Sequence, residues 1–221
     1  VIGCVIHRLN FKTISIHNIA LANKLIYSTT NHIEGVNMLF RSARISDVAQ
    51  LVALQKRCHI DSLTEQDKKD GFLNTVLTAE QLTHIIESEQ GIFVAEHEES
   101  IIGLAVCASW QFWRCSPVLT ELSHDLQSVA VNNERLSSEN SFFWGPVCIG
   151  HNSRGRGVFE SLYQYALSNV SSKYRYVYTY VHQENTRSFH AHLHKAKLTF
   201  TKNIILSGQT FKELVGETRR V

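Results

Sequence analysis

The chain has 221 residues, 43% of them hydrophobic and 19% charged, so it can bury a sizeable core, and a single domain is the default expectation. The formal charge of +2 is carried entirely by residues 1–37, which argues against the extended basic face of a nucleic-acid-binding protein. Five scattered cysteines without a C-x-x-C pair indicate neither a disulfide framework nor a zinc ribbon, and no apolar run is long enough to span a bilayer, so a cytoplasmic protein without membrane partners is expected.

Residues 1–37 mix Ile, Asn, Ser and Thr without a helical or alternating period. Met38 is the one methionine of the chain, and the sequence that follows it is typical of the start of a domain. We therefore expect an N-terminal extension of uncertain structure over residues 1–37 and a folded domain over residues 38–221. An upstream leader is the favoured interpretation of the extension, and an extra element docked on the domain is the alternative.

The first half of the domain predicts a short strand over residues 39–44, followed by a helix that starts with a capping box from Asp47 to Gln50. Thr78 and Gln81 repeat that capping pattern ahead of a second helix, which Gly91 ends. Two apolar runs within residues 91–113 flank a charged turn, as in an antiparallel hairpin. Residues 114–140 are polar and irregular and predict a lid or substrate loop with a short helix near residues 118–130.

The second half begins with the apolar run SFFWGPVCIG, a buried strand that Gly145-Pro146 should interrupt with a bulge. A third helix follows Gly157, and the alternating run KYRYVYTYV predicts a strand with Tyr174, Tyr176, Tyr178 and Tyr180 on one face. A helix over residues 186–197 and two strands around Ser207-Gly208 complete the chain. The predicted fold class is therefore α/β, with a mixed sheet and helices on its faces.

The most informative stretch is the junction between that apolar strand and the third helix, which contains Arg154, Gly155, Arg156 and Gly157. Free backbone N–H groups, the positive end of the helix dipole and two guanidinium groups should meet at this point. Glycine allows close approach of an anion, and no acidic residue lies between Glu139 and Glu160. A phosphate site is expected, although the patterns of the Walker loop and of the dinucleotide-binding loop are both missing.

Arg154-x-x-Gly157, late in a mixed sheet and at a strand-to-helix junction, resembles the R/Q-x-x-G-x-G/A pyrophosphate loop of the GCN5-related N-acetyltransferases (GNAT). The order of elements extends this resemblance over roughly residues 39–216. It implies a mostly antiparallel, mixed sheet of six to seven strands with helices on both faces. It also implies acetyl-CoA as cosubstrate and an N-acetyltransferase that passes the acetyl group directly to a primary amine, without a metal.

The resemblance also implies site residues. The pantetheine arm of the coenzyme would pair with the strand at Val147, Cys148 and Ile149, and Asn185 would help to bind the coenzyme. His192, seven residues after Asn185, would protonate the departing thiolate. The full coenzyme-binding set implied is Val147, Cys148, Ile149, Arg154, Gly155, Arg156, Gly157, Val158, Phe159 and Asn185.

This sequence departs from the family pattern at three places. Phe159 stands where the loop motif has Gly or Ala, but it keeps the backbone N–H that would bind phosphate. Leu198-Thr199-Phe200 replaces the usual Gly-Phe after the last helix. The strand before the loop lacks the Glu that many family members use as a base, and Glu184 or His182 would have to replace it.

Other interpretations of the same residues stay open. His190, His192 and His194 suggest a metal cluster, but only the first and last share a helix face, so exposed histidines are favoured. Cys148 is better explained as a buried strand thiol than as a nucleophile. Trp110, Phe112 and Trp113 belong either to the core or to an acceptor pocket.

Function beyond the fold leaves alternatives as well. A non-catalytic acyl-CoA-binding or sensing module on the same fold is the alternative to an enzyme. The acceptor is a small-molecule or peptide amine that the sequence does not identify, and a homodimer is compatible with the sequence.

Overall fold

The structure is a computed structural model that describes residues 28–33 and 36–219. The strands are, in chain order, β1 (Ser28–Ile33), β2 (Val36–Ser42), β3 (Ile92–His97), β4 (Ser100–Ala108), β5 (Ala130–Val131), β6 (Glu134–Arg135), β7 (Ser141–Ile149), β8 (Tyr176–His182), β9 (Thr199–Leu206) and β10 (Gln209–Glu217). The helices are α1 (Val48–Cys58), α2 (Glu65–Lys68), α3 (Ala79–Ser88), α4 (Pro117–His124), α5 (Val158–Val170) and α6 (Thr186–His194).

Eight strands form one mixed sheet in the order β1-β2-β3-β4-β7-β8-β10-β9. Every neighbouring pair is antiparallel except β7 and β8, which are parallel. This confirms the predicted mixed and mostly antiparallel sheet. The sheet has one strand more than the six to seven expected, because β1 lies before the predicted start of the domain and pairs with β2. Residues 1–27, 34 and 35 of the expected extension lie outside the described residues, and the division at residue 38 stays a prediction.

Helices cover both faces of the sheet because the strands alternate buried side chains between two cores. Leu51 of α1 and Leu82 of α3 pack with Leu104 and Val106 of β4 on one face. On the other face Leu162 and Ala166 of α5 are buried in a second core, together with apolar side chains of β2, β3 and β7. Within the described residues, no helix is long and apolar enough to cross a membrane.

Two local predictions at helix starts had different outcomes. The capping box of Thr78 and Gln81 is confirmed, because each side chain bonds the other's backbone N–H at the start of α3. The box of Asp47 and Gln50 is wrong. The Asp47 carboxylate instead accepts bonds from Arg41 and from the amide of Arg44, and these bonds lower its pKa against the raising effect of burial. A nearby arginine therefore outcompetes the local cap.

The irregular segment after β4 is packed rather than lid-like. It contains α4 and the small β5-β6 hairpin, and Leu119, Leu126 and Leu136 are buried in the core. Trp110 and Trp113 are buried there as well. In β8, Tyr176, Tyr178 and Tyr180 share a face as expected, but Tyr174 precedes the strand and packs in the opposite core, so the predicted four-tyrosine face is one residue shorter.

Candidate functional site

The Arg/Gly junction connects β7 to α5, as predicted. Gly155 and Gly157 have φ angles of 80° and 76°, a left-handed backbone that residues with a side chain rarely adopt, and Gly157 is the N-cap of α5. The first backbone bond of the helix runs from Ser161 N–H to the Gly157 carbonyl. Among the described residues the amides of residues 157–160 find no acceptor, so the amino end of α5 is open to an anion.

The two arginines of the junction have different surroundings. Arg154 donates from Nε to the Ile149 carbonyl at 3.0 Å and from Nη1 to the Asp70 carbonyl at 2.7 Å. It therefore holds the loop against the segment at residues 70–72 while its charge stays beside the helix end. Arg156 is exposed and lines neither of the two cavities described below, so its part in binding an anion stays a prediction.

A cavity of about 440 Å³, here called the loop cavity, lies against this helix end. Its wall includes Val147, Cys148 and Ile149 of β7, the loop itself and the start of α5. The opposite side is formed by residues 70–72 and by one side of α6. Of the predicted coenzyme-binding residues, the structure brings together here Val147, Cys148, Ile149, Arg154, Gly155, Gly157, Val158 and Phe159.

The predicted bulge opens a gap between two parallel strands. β8 pairs with β7 only from Ser141 to Phe143, and the register of β7 against β4 shifts around Gly145-Pro146. Thr179 Oγ1 donates to the Trp144 carbonyl at 2.7 Å, at the point where the strands separate. Beyond it, among the described residues, the edge of β7 that carries Val147 has no strand partner on the β8 side. The gap leads from the helix end into the sheet.

A second cavity of about 190 Å³, here called the bulge cavity, lies on the other side of this gap. Its wall comes from the β7 bulge, the end of β8, residues 72–77 and residues 113–119. Phe72, Val147, Ser188 and His192 line both cavities, so the two adjoin. Residues 72–77 of this second wall carried no signal in the sequence, because each is an ordinary apolar or polar loop residue.

His192 lies in the wall between the cavities, 2% exposed. Its Nε2 accepts the indole N–H of Trp144 at 3.0 Å, so the ring proton is on Nδ1, which donates to the Ser188 carbonyl at 2.7 Å. Burial lowers the pKa of His192 to about 4, although the bond to Ser188 favours the charged form. The ring is therefore neutral with both nitrogens occupied. The acid role stays a prediction, and these contacts count against it.

Phe159, the departure in the loop motif, packs its ring edge-on against His192 with the centroids 5.1 Å apart, and it stacks on Tyr163. Its side chain thus turns toward the aromatic wall that includes Trp144 and leaves its own amide at the helix end without a partner among the described residues. The bulky residue is accommodated without closing the anion site.

Neither Asn185 nor Glu184 lines the loop cavity, where most of the predicted coenzyme-binding residues lie. Asn185 caps α6 by accepting the Ser188 amide, and its Nδ2 donates to the Phe72 carbonyl at 2.8 Å. It lines the bulge cavity and not the loop cavity. Glu184 is exposed and lines neither cavity, whereas His182 lines the bulge cavity. Both predicted roles stay predictions, with His182 the better placed base.

Two thiols lie on the floor of the loop cavity, and the sequence pointed to only one of them. A hydrogen bond between Cys58 and Cys148 lowers the pKa of Cys58 to about 7; burial opposes this shift, and the charge of Arg154 adds to it. The same bond, with burial, raises the pKa of Cys148. His190 and His194 stack on one face of α6, and among the described residues no group of three His, Cys, Asp or Glu side chains could hold a metal.

No protein-family model matches the chain, and no curated protein matches it in sequence. Solved structures are similar to it in fold. The N-acetyltransferase of Staphylococcus aureus Mu50 is 16% identical, with a TM-score of 0.58 over 83% of this chain and 99% of that one. The GNAT domain of PAT from S. lividans is 12% identical, with a TM-score of 0.59 over 86% and 96%.

A third similar structure is yncA from Salmonella typhimurium, named as an acetyltransferase and solved with its cofactor acetyl-CoA. It is 12% identical, with a TM-score of 0.58 over 83% of this chain and 95% of that one. The similarity in each case extends over most of both chains. The chain therefore has the fold of the GCN5-related N-acetyltransferases, as its Arg/Gly loop and element order predicted.

Proposed function

We propose that the protein is an acetyl-CoA-dependent N-acetyltransferase. The observation that carries this proposal is the open amino end of α5 beside the gap between β7 and β8, with a second cavity at the far end of that gap. A diphosphate needs unpaired backbone N–H groups, and an extended thioester arm needs a strand edge without a partner. Within its described residues the protein offers both, and the two cavities share part of their walls.

The loop cavity suits the coenzyme because cations surround the helix end. Arg154 lies beside it, and Arg187 and Lys195 of the α6 region line the same cavity. Two of these cations also contact carboxylates, Arg187 with Asp70 and Lys195 with Glu160 at 3.9 Å. These contacts hold the cations near the cavity while phosphate oxygens remain stronger partners for them.

The bulge cavity, which adjoins the loop cavity, has residues that suit transfer of the acetyl group to an amine. Acetyl-CoA supplies an acyl thioester that a neutral amine attacks directly. His182 lines the bulge cavity and is the residue that we assign to removing the ammonium proton, since Glu184 lines neither cavity. The Ser188 hydroxyl lines both cavities and is the donor that we assign to the departing sulfur, since the neutral ring of His192 has no free N–H.

A non-catalytic acyl-CoA-binding module is the second candidate, and one observation favours it. The histidine at the position expected for the catalytic acid is bonded to Trp144 and to the Ser188 carbonyl, which makes it part of a wall. Such a module would bind the coenzyme through the same loop and release no thiol.

The deciding experiment measures two quantities on the same protein. Calorimetry with acetyl-CoA tests binding, and thiol release with a mixed panel of primary amines tests transfer. We expect binding and amine-dependent thiol release. Binding without thiol release for any amine would favour the sensing module, and no binding would remove both proposals.

A further inference from the structure

The bulge cavity has a wall without formal charge. Among the described residues that line it there is no Asp, Glu, Lys or Arg, and the titratable side chains are two histidines, a tyrosine and a cysteine. A ligand with a second ammonium group would have to bury that charge without a carboxylate partner, which costs several kcal/mol. The wall therefore disfavours polyamines and other acceptors with several positive charges.

Aromatic rings dominate the same wall. Phe143 lies 5.4 Å from Trp113 and 5.2 Å from Tyr180, and Tyr180 lies 5.1 Å from Phe211, measured between ring centroids. These rings meet edge to face or tilted, an arrangement that accepts a further ring by the same contacts. The volume of about 190 Å³ is below the roughly 300–1,000 Å³ of pockets for drug-sized ligands, so the ligand that fits is small.

Two polar groups in this aromatic wall lack partners within the described residues. The indole N–H of Trp113, a residue 3% exposed, is the one buried side-chain nitrogen or oxygen there without a hydrogen bond. The phenol of Tyr180, a half-buried residue, has no hydrogen-bond partner there either, and burial of its ring raises its pKa to about 12, so it stays protonated.

A wall without formal charge also assists the chemistry proposed for it. Removing an ammonium group from water lowers its pKa, so a single primary amine is more readily deprotonated there than in solution. The wall therefore helps with the step for which this chain lacks a strand carboxylate, provided that the rest of the ligand is apolar.

We propose that the acceptor is a small arylalkylamine, a primary amine on a short chain attached to a ring, with no second positive charge. This inference rests on the proposed function, because it names the substrate class of the same site. Polyamines and the lysine side chains of proteins are the alternative acceptors, and the test includes both.

The test compares acceptors in matched pairs by kcat/KM for thiol release. 2-Phenylethylamine is compared with hexylamine, and hexylamine with 1,6-diaminohexane, which adds only a second ammonium group; spermidine and a lysine-containing peptide complete the set. We expect 2-phenylethylamine to exceed hexylamine, and hexylamine to exceed the diamine by at least about tenfold. Equal or faster reaction with the diamine, spermidine or the peptide overturns this inference and leaves the proposed function standing. No release with any amine overturns both.

A variant tests the charge argument inside one protein. Val76 lines the bulge cavity in a loop and is 39% exposed, so substitution there should be tolerated. Val76→Asp adds a carboxylate to the wall and should shift the ratio of diamine to hexylamine reaction by about tenfold toward the diamine. Val76→Asn, of similar shape without charge, should keep the parent ratio. An unchanged ratio in Val76→Asp, with acetyl-CoA binding intact, would overturn the inference.

Discussion

The two adjoining cavities are built from different parts of the polypeptide. The loop cavity depends on backbone: two left-handed glycines, unpaired amides at a helix end and an unpaired strand edge. The bulge cavity depends on side chains from several separate segments, most of them apolar or aromatic. Backbone groups are the same in every protein, whereas a side-chain wall differs with each residue. The loop cavity therefore suits a ligand that many different proteins can bind, and the bulge cavity suits a ligand that is specific to this protein.

The largest effect that we expect is a pH dependence of the free energy of unfolding, caused by His192 in the wall between the cavities. The unfolded chain binds a proton at His192 near pH 6.5, and the folded chain only near pH 4. Between these values the unfolded state holds more protons, so the free energy of unfolding falls as the pH is lowered, by about 3 kcal/mol in total. The contribution is fully present above pH 6.5. Urea unfolding at a series of pH values between 7 and 4 measures it.

His192→Asn should be less stable at pH 7 but should lose most of this slope, because the buried titrating group is gone. His190→Asn, exposed on the same helix, is the control and should keep the parent slope. Parallel curves for His192→Asn and the parent would show that the wall does not hold a neutral histidine.

Asn185 tests whether a single residue can serve both cavities. Asn185→Ala removes the cap of α6 and leaves the Phe72 carbonyl without its donor, which should cost about 2 kcal/mol of unfolding free energy. Turnover should fall as well, because residues 70–72 line the loop cavity. Asn185→Ser can keep the cap and loses only the donor, so its loss should be smaller. Weaker acetyl-CoA binding at unchanged stability would instead make Asn185 a direct ligand of the coenzyme.

Backbone conformation in the loop cavity is tested by a matched pair of glycines. Gly155 and Gly208 have φ angles of 80° and 77°, and a Cβ at either would meet nothing within 4 Å. Valine at either position should cost roughly 1–2 kcal/mol of strain. Only Gly155→Val should raise the Kd for acetyl-CoA, by at least about tenfold, since Gly208 lies in the turn between β9 and β10. Calorimetry on both variants decides, and equal Kd values would refute the backbone-built site.

The same difference explains how much of the site the sequence could predict. The loop, the bulge at Gly145-Pro146 and the helix after Gly157 depend on local chemistry, so each is visible in a short stretch. Residues 70–72 and Cys58 reach the loop cavity only through tertiary packing of segments far away in the chain. No local pattern marks them, and their role could not have been predicted.

His192 shows the limit from the other side. Its spacing from Asn185 is right, and the structure does place it beside both cavities. What the sequence could not show is that Trp144, 48 positions earlier, donates to its Nε2. The position of His192 could be predicted from the fold, whereas its protonation state depends on the long-range contact with Trp144. The wrong capping box at Asp47 has the same cause, because Arg41 of the neighbouring strand outcompetes the local backbone.

The smallest effect that we expect is a difference in alkylation between two cysteines, one in each cavity. Cys58 lines the loop cavity and Cys115 the bulge cavity. Because the pKa of Cys58 is lowered to about 7, the rate of its alkylation by iodoacetamide should rise through pH 7 and level off near pH 8. The rate for an ordinary thiol levels off at a higher pH. Mass spectrometry of the labelled peptides follows each site separately.

Ligands should then protect the two thiols selectively. Bound coenzyme A should slow labelling of Cys58 severalfold and leave Cys115 unchanged, and 2-phenylethylamine should do the reverse. Protection of both thiols by coenzyme A alone would mean that the coenzyme fills both cavities, in which case the bulge cavity could not receive an acceptor while the coenzyme is bound. The selectivity of this weak effect therefore tests the division of the site more directly than the larger losses of stability, because it depends only on which cavity each ligand occupies.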